Sequence, residues 1–156
     1  MAADEFIGVI SDTHGLLRPE ALDALSGAAL IIHAGDVGKP EVLSGLEQIA
    51  PVHAVRGNGD RGEWSLVLPE TRVLELAGSL IYVVHDLHAI EVEPGAAGIQ
   101  VVISGHSHRP SVKEQEGVLY LNPGSAGPRR FTLPVSLAKL RLQSGTPSVE
   151  LINLQV

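Results

Sequence analysis

The sequence predicts an α/β fold built around more than one β-sheet, and three observations carry the prediction. Short apolar runs alternate with two helix-like stretches up to about Val55, the βαβ pattern of a parallel sheet. Beyond Trp64 the helical signal fades and paired strand-like runs take over. Five polar clusters, Asp12-Thr13-His14, Gly35-Asp36, Gly57-Asn58, His85-Asp86 and Gly105-His106-Ser107-His108, each stand directly after an apolar run.

Phe6 to Ile10 reads as the first strand. Pro19 opens the first helix and Gly27 closes it, with Leu22 and Leu25 facing inward. Leu30 to His33 is the second strand; the next helix starts near Pro40, buries Val42, Leu46 and Ile49, and stops before Pro51. Val52 to Val55 is the third strand. Arg72 to Leu76 and Leu80 to Val84 read as a hairpin around Ala77-Gly78-Ser79. A weakly defined segment through Pro94-Gly95 leads to a strand over Gln100 to Ser104. Val118 to Leu121, Val135 to Leu142 and Ser148 to Leu154 complete the strands, the last two joined through Ser144-Gly145-Thr146-Pro147. With no repeat, low-complexity tract or linker, residues 1–156 are read as one domain.

Composition narrows the function classes. A chain of 156 residues with 44% hydrophobic but only 3% aromatic residues can bury a sizeable, aliphatic core. No run approaches the roughly 18 apolar residues of a membrane span, and Asp4 and Glu5 precede the first run where a secretory signal would need apolar sequence. Zero cysteines exclude a disulfide frame and a thiolate site, which fits a cytoplasmic protein. A formal charge of −7 argues against broad nucleic-acid capture, which needs clustered Lys and Arg. Bound divalent cations would reverse the field within one cleft and attract an anionic substrate such as a phosphate ester.

Taken singly, each cluster has an ordinary reading. Asp-x-His after a strand is commonly a cap or solvated loop, Gly35-Asp36 a turn, Asn58 a turn residue tolerating left-handed geometry, and His85 a strand-end histidine. Gly105-His106-Ser107-His108 is the sharpest, because packing gives no reason for paired histidines between Gly105 and Pro110. Together they deliver Asp12, His14, Asp36, Asn58, His85, His106 and His108 to strand ends, the edge where α/β sheets bind ligands. That is an oxygen and nitrogen donor set for two metal ions, in which a carboxylate such as Asp36 can bridge. Gly35, Gly57 and Gly105 permit the backbone geometry such turns need.

Other features are weaker. Gly57 to Gly62 formally matches G-x-G-x-x-G, but it follows the third strand and Pro69 leaves too little room for a crossover helix. Ser104, Ser107 and Ser125 lack a nucleophile elbow, so no protein nucleophile is expected. His33 reads as a core or supporting histidine and His53 as structural. Trp64 reads as a packing anchor, or as a subunit contact if exposed, so a homo-oligomer stays open. Arg129-Arg130 reads as solvated.

From Asp12 to His108 the motifs D-x-H, G-D, G-N, H and G-H-x-H resemble the calcineurin-like metallophosphoesterase superfamily, and Leu121-Asn122-Pro123-Gly124-Ser125 is similar to its small bacterial and archaeal phosphodiesterase branch. The resemblance implies a four-layer αββα sandwich with two central mixed β-sheets. It implies one ion held by Asp12, His14, Asp36 and His108 and another by Asp36, Asn58, His85 and His106, with manganese foremost and iron, nickel or zinc as alternatives. A metal-bridging hydroxide would attack the phosphate in line, with Asn58 and Arg61 as candidate phosphoryl-oxygen contacts. Two departures stand out: Gly59-Asp60 where many larger phosphatases carry a leaving-group histidine, and Asp86 where close relatives often have glycine, a side chain that can redirect the turn or hydrogen-bond a ligand imidazole; His88 reads as a surface residue, with an approach to the cleft as the alternative. Loss of a general acid forfeits roughly 10²–10⁴ in rate on poor leaving groups, so a small diester or activated ester is the expected substrate. A protein-binding scaffold of the same fold, like the related retromer subunit, and a dinuclear hydrolase of amide or carbonyl substrates are the alternatives.

Overall fold

A computed structural model describes residues 4–156. Its elements run β1 (Ile7–Ile10), α1 (Pro19–Leu25), β2 (Leu30–His33), α2 (Pro40–Glu47), β3 (Val52–Ala54), β4 (Thr71–Leu76), β5 (Ser79–Val84), β6 (Ile99–Ile103), β7 (Ser111–Gln115), β8 (Val118–Asn122), β9 (Ser136–Gln143) and β10 (Thr146–Asn153). Two mixed five-stranded sheets form, in the orders β10-β9-β1-β2-β3 and β4-β5-β6-β8-β7. In each, three parallel strands occupy one side of the sheet or its middle: β1, β2 and β3 in the first, β5, β6 and β8 in the second.

The sheets face each other across an aliphatic layer that includes Ile7, Val9, Ile32, Ile81, Val101, Ile103, Leu121 and Leu140. The other face of the first sheet packs on the two helices through Ile10, Leu25, Ile31, Val42 and Leu46, with Trp64 packed against that cluster as an anchor. The αββα layering is thin on its far side. Tyr82, Val84, Ile99, Val102 and Val118 of the second sheet pack with Ile90, which follows the 3-10 turn Leu87–Ala89, and among the described residues no α-helix covers them.

Several boundaries differ from expectation for local reasons. α2 stops at Glu47 and its last turn closes through Ile49 N–H and Ala50 N–H, which both donate to Leu46 O. The β4–β5 hairpin turns on Ala77-Gly78 alone, both at positive φ, so Ser79 pairs with Leu76 inside the ladder. The same two-residue turn chemistry recurs at Glu116-Gly117 and Ser144-Gly145. Thr146 and Pro147 therefore lie within β10, an edge strand where Pro is tolerated. Strand β7 was invisible to pattern reading because Ser111-Val112-Lys113-Glu114-Gln115 is a largely exposed edge strand with no apolar alternation.

Candidate metal centre

The five polar clusters meet at one edge of the sandwich. Asp12, Asp36 and Asn58 follow β1, β2 and β3 of one sheet; His85 and His106 follow β5 and β6 of the other. Backbone bonds tie the loops together: Asp12 N–H donates to Gly35 O, His14 N–H to Asp36 O, and Gly105 N–H to His85 O. Five of the seven expected site residues, Asp12, His14, Asp36, His106 and His108, are left-handed, with φ between 47° and 72°. Such strain persists only where surrounding structure over-determines it.

The glycines make the approach possible. A Cβ on Gly35, itself at φ 101°, would lie 2.5 Å from His85 Nδ1. On Gly105 it would strike Ser11 Oγ and lie 2.7 Å from Asp12 Oδ2, and on Gly57 it would strike Asp36 Oδ1 and backbone N.

At the centre are two carboxylates. Asp12 is fully buried and Asp36 nearly so. Asp12 Oδ2 accepts from Ser11 Oγ at 2.6 Å and from His106 N–H at 3.0 Å; Asp36 Oδ1 accepts from Gly59 N–H at 2.8 Å. The remaining oxygens face imidazoles. Asp12 Oδ1 is 3.4 Å from His108 Nε2, 3.8 Å from His14 Nε2 and 3.9 Å from His85 Nε2, while Asp36 Oδ2 is 3.3 Å from His85 Nε2 and 3.7 Å from His14 Nε2. Two potential ligand groups result, Asp12 with His14 and His108, and Asp12 with Asp36 and His85.

The hydrogen bonds decide which atoms are left over. His85 Nδ1 lies 2.7 Å from Ala34 O, so that nitrogen carries the donated proton and Nε2 presents a lone pair to the carboxylates. Asp12 Oδ1 and His85 Nε2 are buried without any hydrogen-bond partner. With His85 neutral, three acceptors, Asp12 Oδ1, Asp36 Oδ2 and His85 Nε2, would converge in a buried space, an arrangement that is repulsive until a proton on Nε2 or a cation lies between them. The donor set fits a divalent ion.

Charge shifts follow the same geometry. Burial acts most strongly on Asp12 and pushes its carboxyl up, but the approach of His108, the Ser11 hydroxyl and the charge on His85 outweigh it, and the net shift is down. For Asp36, burial is again the largest influence and again loses, to His85, Gly59 N–H and His14, leaving the carboxyl at about 2. Burial pulls His85 down, yet the Asp36 and Asp12 carboxylates push it above its ordinary value.

The remaining expected residues are more peripheral. His106 stacks edge-on against His85 with ring centroids 5.2 Å apart, and its Nε2 lies 4.0 Å from Asp86 Oδ2, outside both ligand groups. Asn58 is exposed and lines a cavity of about 910 Å³ that opens beside His85 and His106. Arg61 is exposed and lines neither cavity adjoining the site; Arg56, which the sequence did not single out, lines the larger one and pairs with Glu70 at 3.0 Å. Asp60 is a clasp: its two oxygens accept from Gly38 N–H and Gly57 N–H, both at 2.9 Å, pinning the loops after β2 and β3 to each other. With Gly57 N–H and Gly59 N–H both already bonded to carboxylates, the Gly57–Gly62 turn does not cradle a dinucleotide phosphate, and it leads into the 3-10 turn Glu63–Val67 instead of a helix. Asp86 accepts from His88 N–H at 3.0 Å and faces His88 Nδ1 at 3.2 Å.

His33 is completely buried and supports the site. Its Nδ1 accepts from Gly35 N–H at 3.1 Å, so Nε2 carries the proton and donates to Thr13 Oγ1 at 3.0 Å, which donates on to Val37 O at 2.8 Å. Asn122, at the end of β8, donates to Gly105 O at 3.0 Å and to Ser107 Oγ at 3.1 Å, bracing the His106–His108 turn.

Known proteins share this architecture. A relative named "Probable metallophosphoesterase" in Methanothermobacter thermautotrophicus is 38% identical, with 94% of this chain and 91% of that protein covered. A phosphodiesterase of Methanocaldococcus jannaschii is 28% identical over 76% of this chain and 82% of its own length. Among solved structures, a Vps29 variant from Entamoeba histolytica superposes with a TM-score of 0.73 at 25% identity, covering 96% of this chain and 99% of that one. The model of the calcineurin-like phosphoesterase superfamily domain matches residues 6–145. A divalent-metal phosphoesterase site is the coarse reading that the cluster and these relatives share, and the chain belongs to the calcineurin-like phosphoesterase superfamily.

Proposed function

We propose that the protein is a phosphodiesterase with a two-ion centre. In this reading Asp12, His14, Asp36 and His108 hold one divalent ion, manganese foremost, while Asp36, Asn58, His85 and His106 hold the other, with Asp36 bridging. The observation that carries it is the convergence of Asp12 Oδ1, Asp36 Oδ2 and His85 Nε2, of which Asp12 Oδ1 and His85 Nε2 are buried without a hydrogen-bond partner. The relative named as a phosphodiesterase supports the substrate class.

A pair of divalent ions supplies Lewis-acid polarisation of the phosphoryl oxygens and a lowered pKa for the attacking water. The chain's own residues do the rest. Ala34 O fixes the His85 tautomer, Ser11 and His106 N–H hold Asp12, and Gly59 N–H holds Asp36, so the donors need little reorganisation on loading. In this reading no side chain serves as the nucleophile. Asp60, whose two oxygens each accept a backbone amide, serves to hold the loops together, and with Gly59-Asp60 in place of a leaving-group histidine the reading favours diesters and activated esters.

The test is hydrolysis of bis(p-nitrophenyl) phosphate by chelated protein reloaded with manganese, beside Asp36→Asn and beside p-nitrophenyl phosphate. We expect metal-dependent turnover, at least about 100-fold loss in Asp36→Asn, and faster cleavage of the diester. Equal efficiency on the two esters would remove the diester assignment. No turnover with manganese, iron, nickel or zinc would favour a protein-binding scaffold, the reading to which the Vps29 likeness points.

A further inference from the structure

The site opens into two cavities of opposite character that share only Asp86 and His106. The larger, about 910 Å³, has Tyr82, Val84, Ala89 and Val92 on its walls. Its ionic lining is acidic: Asp60, Glu70, Asp86 and Glu91, against the single cation Arg56, which Glu70 already pairs. The smaller, about 480 Å³, runs over the outer face of β7 and β8. Because side chains alternate along a strand and Ser111 pairs with Asn122 and Lys113 with Tyr120, these four residues form one polar floor. Asn122 is bonded to the metal-site turn itself, at Gly105 O and Ser107 Oγ, so the floor starts at the site and leads away from it.

Arg109 lines the same groove as Lys113. Among the described residues neither has a salt-bridge partner, and the one carboxylate lining the groove, Asp86, is engaged by His88. On a chain of net charge −7 with only 11 basic residues, two cations without salt-bridge partners lining one groove make a local field that attracts an anion and that the larger cavity lacks. Lys on an edge strand also serves to prevent edge pairing, but that role does not require Arg109, which lies outside β7.

We infer that Arg109 and Lys113 form an anion subsite, and that the substrate is an asymmetric phosphate diester: one arm bears a second anionic group that lies on the β7–β8 floor, and the other, uncharged, occupies the larger cavity. Lys113, opposite Tyr120, lies about 7 Å along the strand from Asn122, which braces the metal-site turn, so a nucleoside carrying a second phosphate is the probe chosen. This inference rests on the phosphoesterase reading of the metal centre.

The probes are thymidine 3′,5′-bisphosphate and thymidine 5′-monophosphate, titrated calorimetrically into the manganese-loaded protein, together with hydrolysis of the p-nitrophenyl ester of the 5′-phosphate with and without a 3′-phosphate. The wild type is expected to favour the 3′-phosphorylated member of each pair by about tenfold, the scale of one charge-assisted contact. In Arg109→Gln/Lys113→Gln the ratio should fall to about one. A wild-type ratio near one, or a ratio unchanged in the double variant, overturns the subsite. A preserved binding preference without hydrolysis of either ester upholds the subsite and overturns the phosphoesterase reading.

Discussion

His33 shows how one buried residue conditions the site. Burial holds its imidazole at about 4, against an ordinary 6.5, and its Nδ1 is committed as an acceptor to Gly35 N–H. Between those values the unfolded chain binds the proton more readily, so the stabilisation is complete above pH 6.5 and drains away as pH falls toward 4. The full amount is about 3 kcal/mol. His85 acts in the opposite sense: its raised value means stability present below its ordinary pKa and lost as pH climbs, so the two windows do not overlap. Denaturant midpoints of metal-free protein should drop between pH 6.5 and 4, and His33→Gln should flatten that drop. Identical profiles would show that His33 is not held neutral.

At the level of the elements, the turns after the strands carry the function, and glycine sets how closely they meet. Gly57 adjoins Asp36 so tightly that a methyl group would strike its carboxylate and backbone nitrogen, neither of which can swing aside. Gly57→Ala should therefore cost about 1–3 kcal/mol, as overpacking does, and should weaken the response to metal. Gly145→Ala meets no atom within 4 Å and bears only the strain of φ 75°, about 1 kcal/mol, with the metal response intact. Urea midpoints with and without manganese separate the cases; equal loss of metal response in both variants would contradict the close-packing account.

For the molecule as a whole, the aliphatic layer between the sheets is what aligns two independent sets of loops. Leu140 is fully buried there, paired through β9 with Ile7 of β1, so Leu140→Ala should cost about 2–5 kcal/mol. Metal acts on the same equilibrium. An ion that binds only the folded chain at 100 times its dissociation constant adds about 2.7 kcal/mol, so manganese should raise the melting temperature of the wild type but not of Asp36→Asn. A shift of equal size in the variant would place the ion elsewhere. No described helix is long and apolar enough to cross a membrane.

The sequence by itself determined the α/β class, the first three strands and both helices, because apolar periodicity and Pro and Gly boundaries are local signals. It also located Asp12, His14, Asp36, His85 and His108, since strand-end clusters are where a parallel sheet presents side chains, and these five do converge. Strand β7 escaped because an exposed edge strand leaves no apolar trace. Only the tertiary structure decided that Asp60 is a clasp, that Arg56 and not Arg61 lines the larger cavity, that His106 turns toward Asp86, and that Arg109 and Lys113 share a groove. Each of those depends on which loop from one sheet faces which loop from the other. That pairing is fixed by packing between residues distant in the chain, to which local sequence patterns are blind.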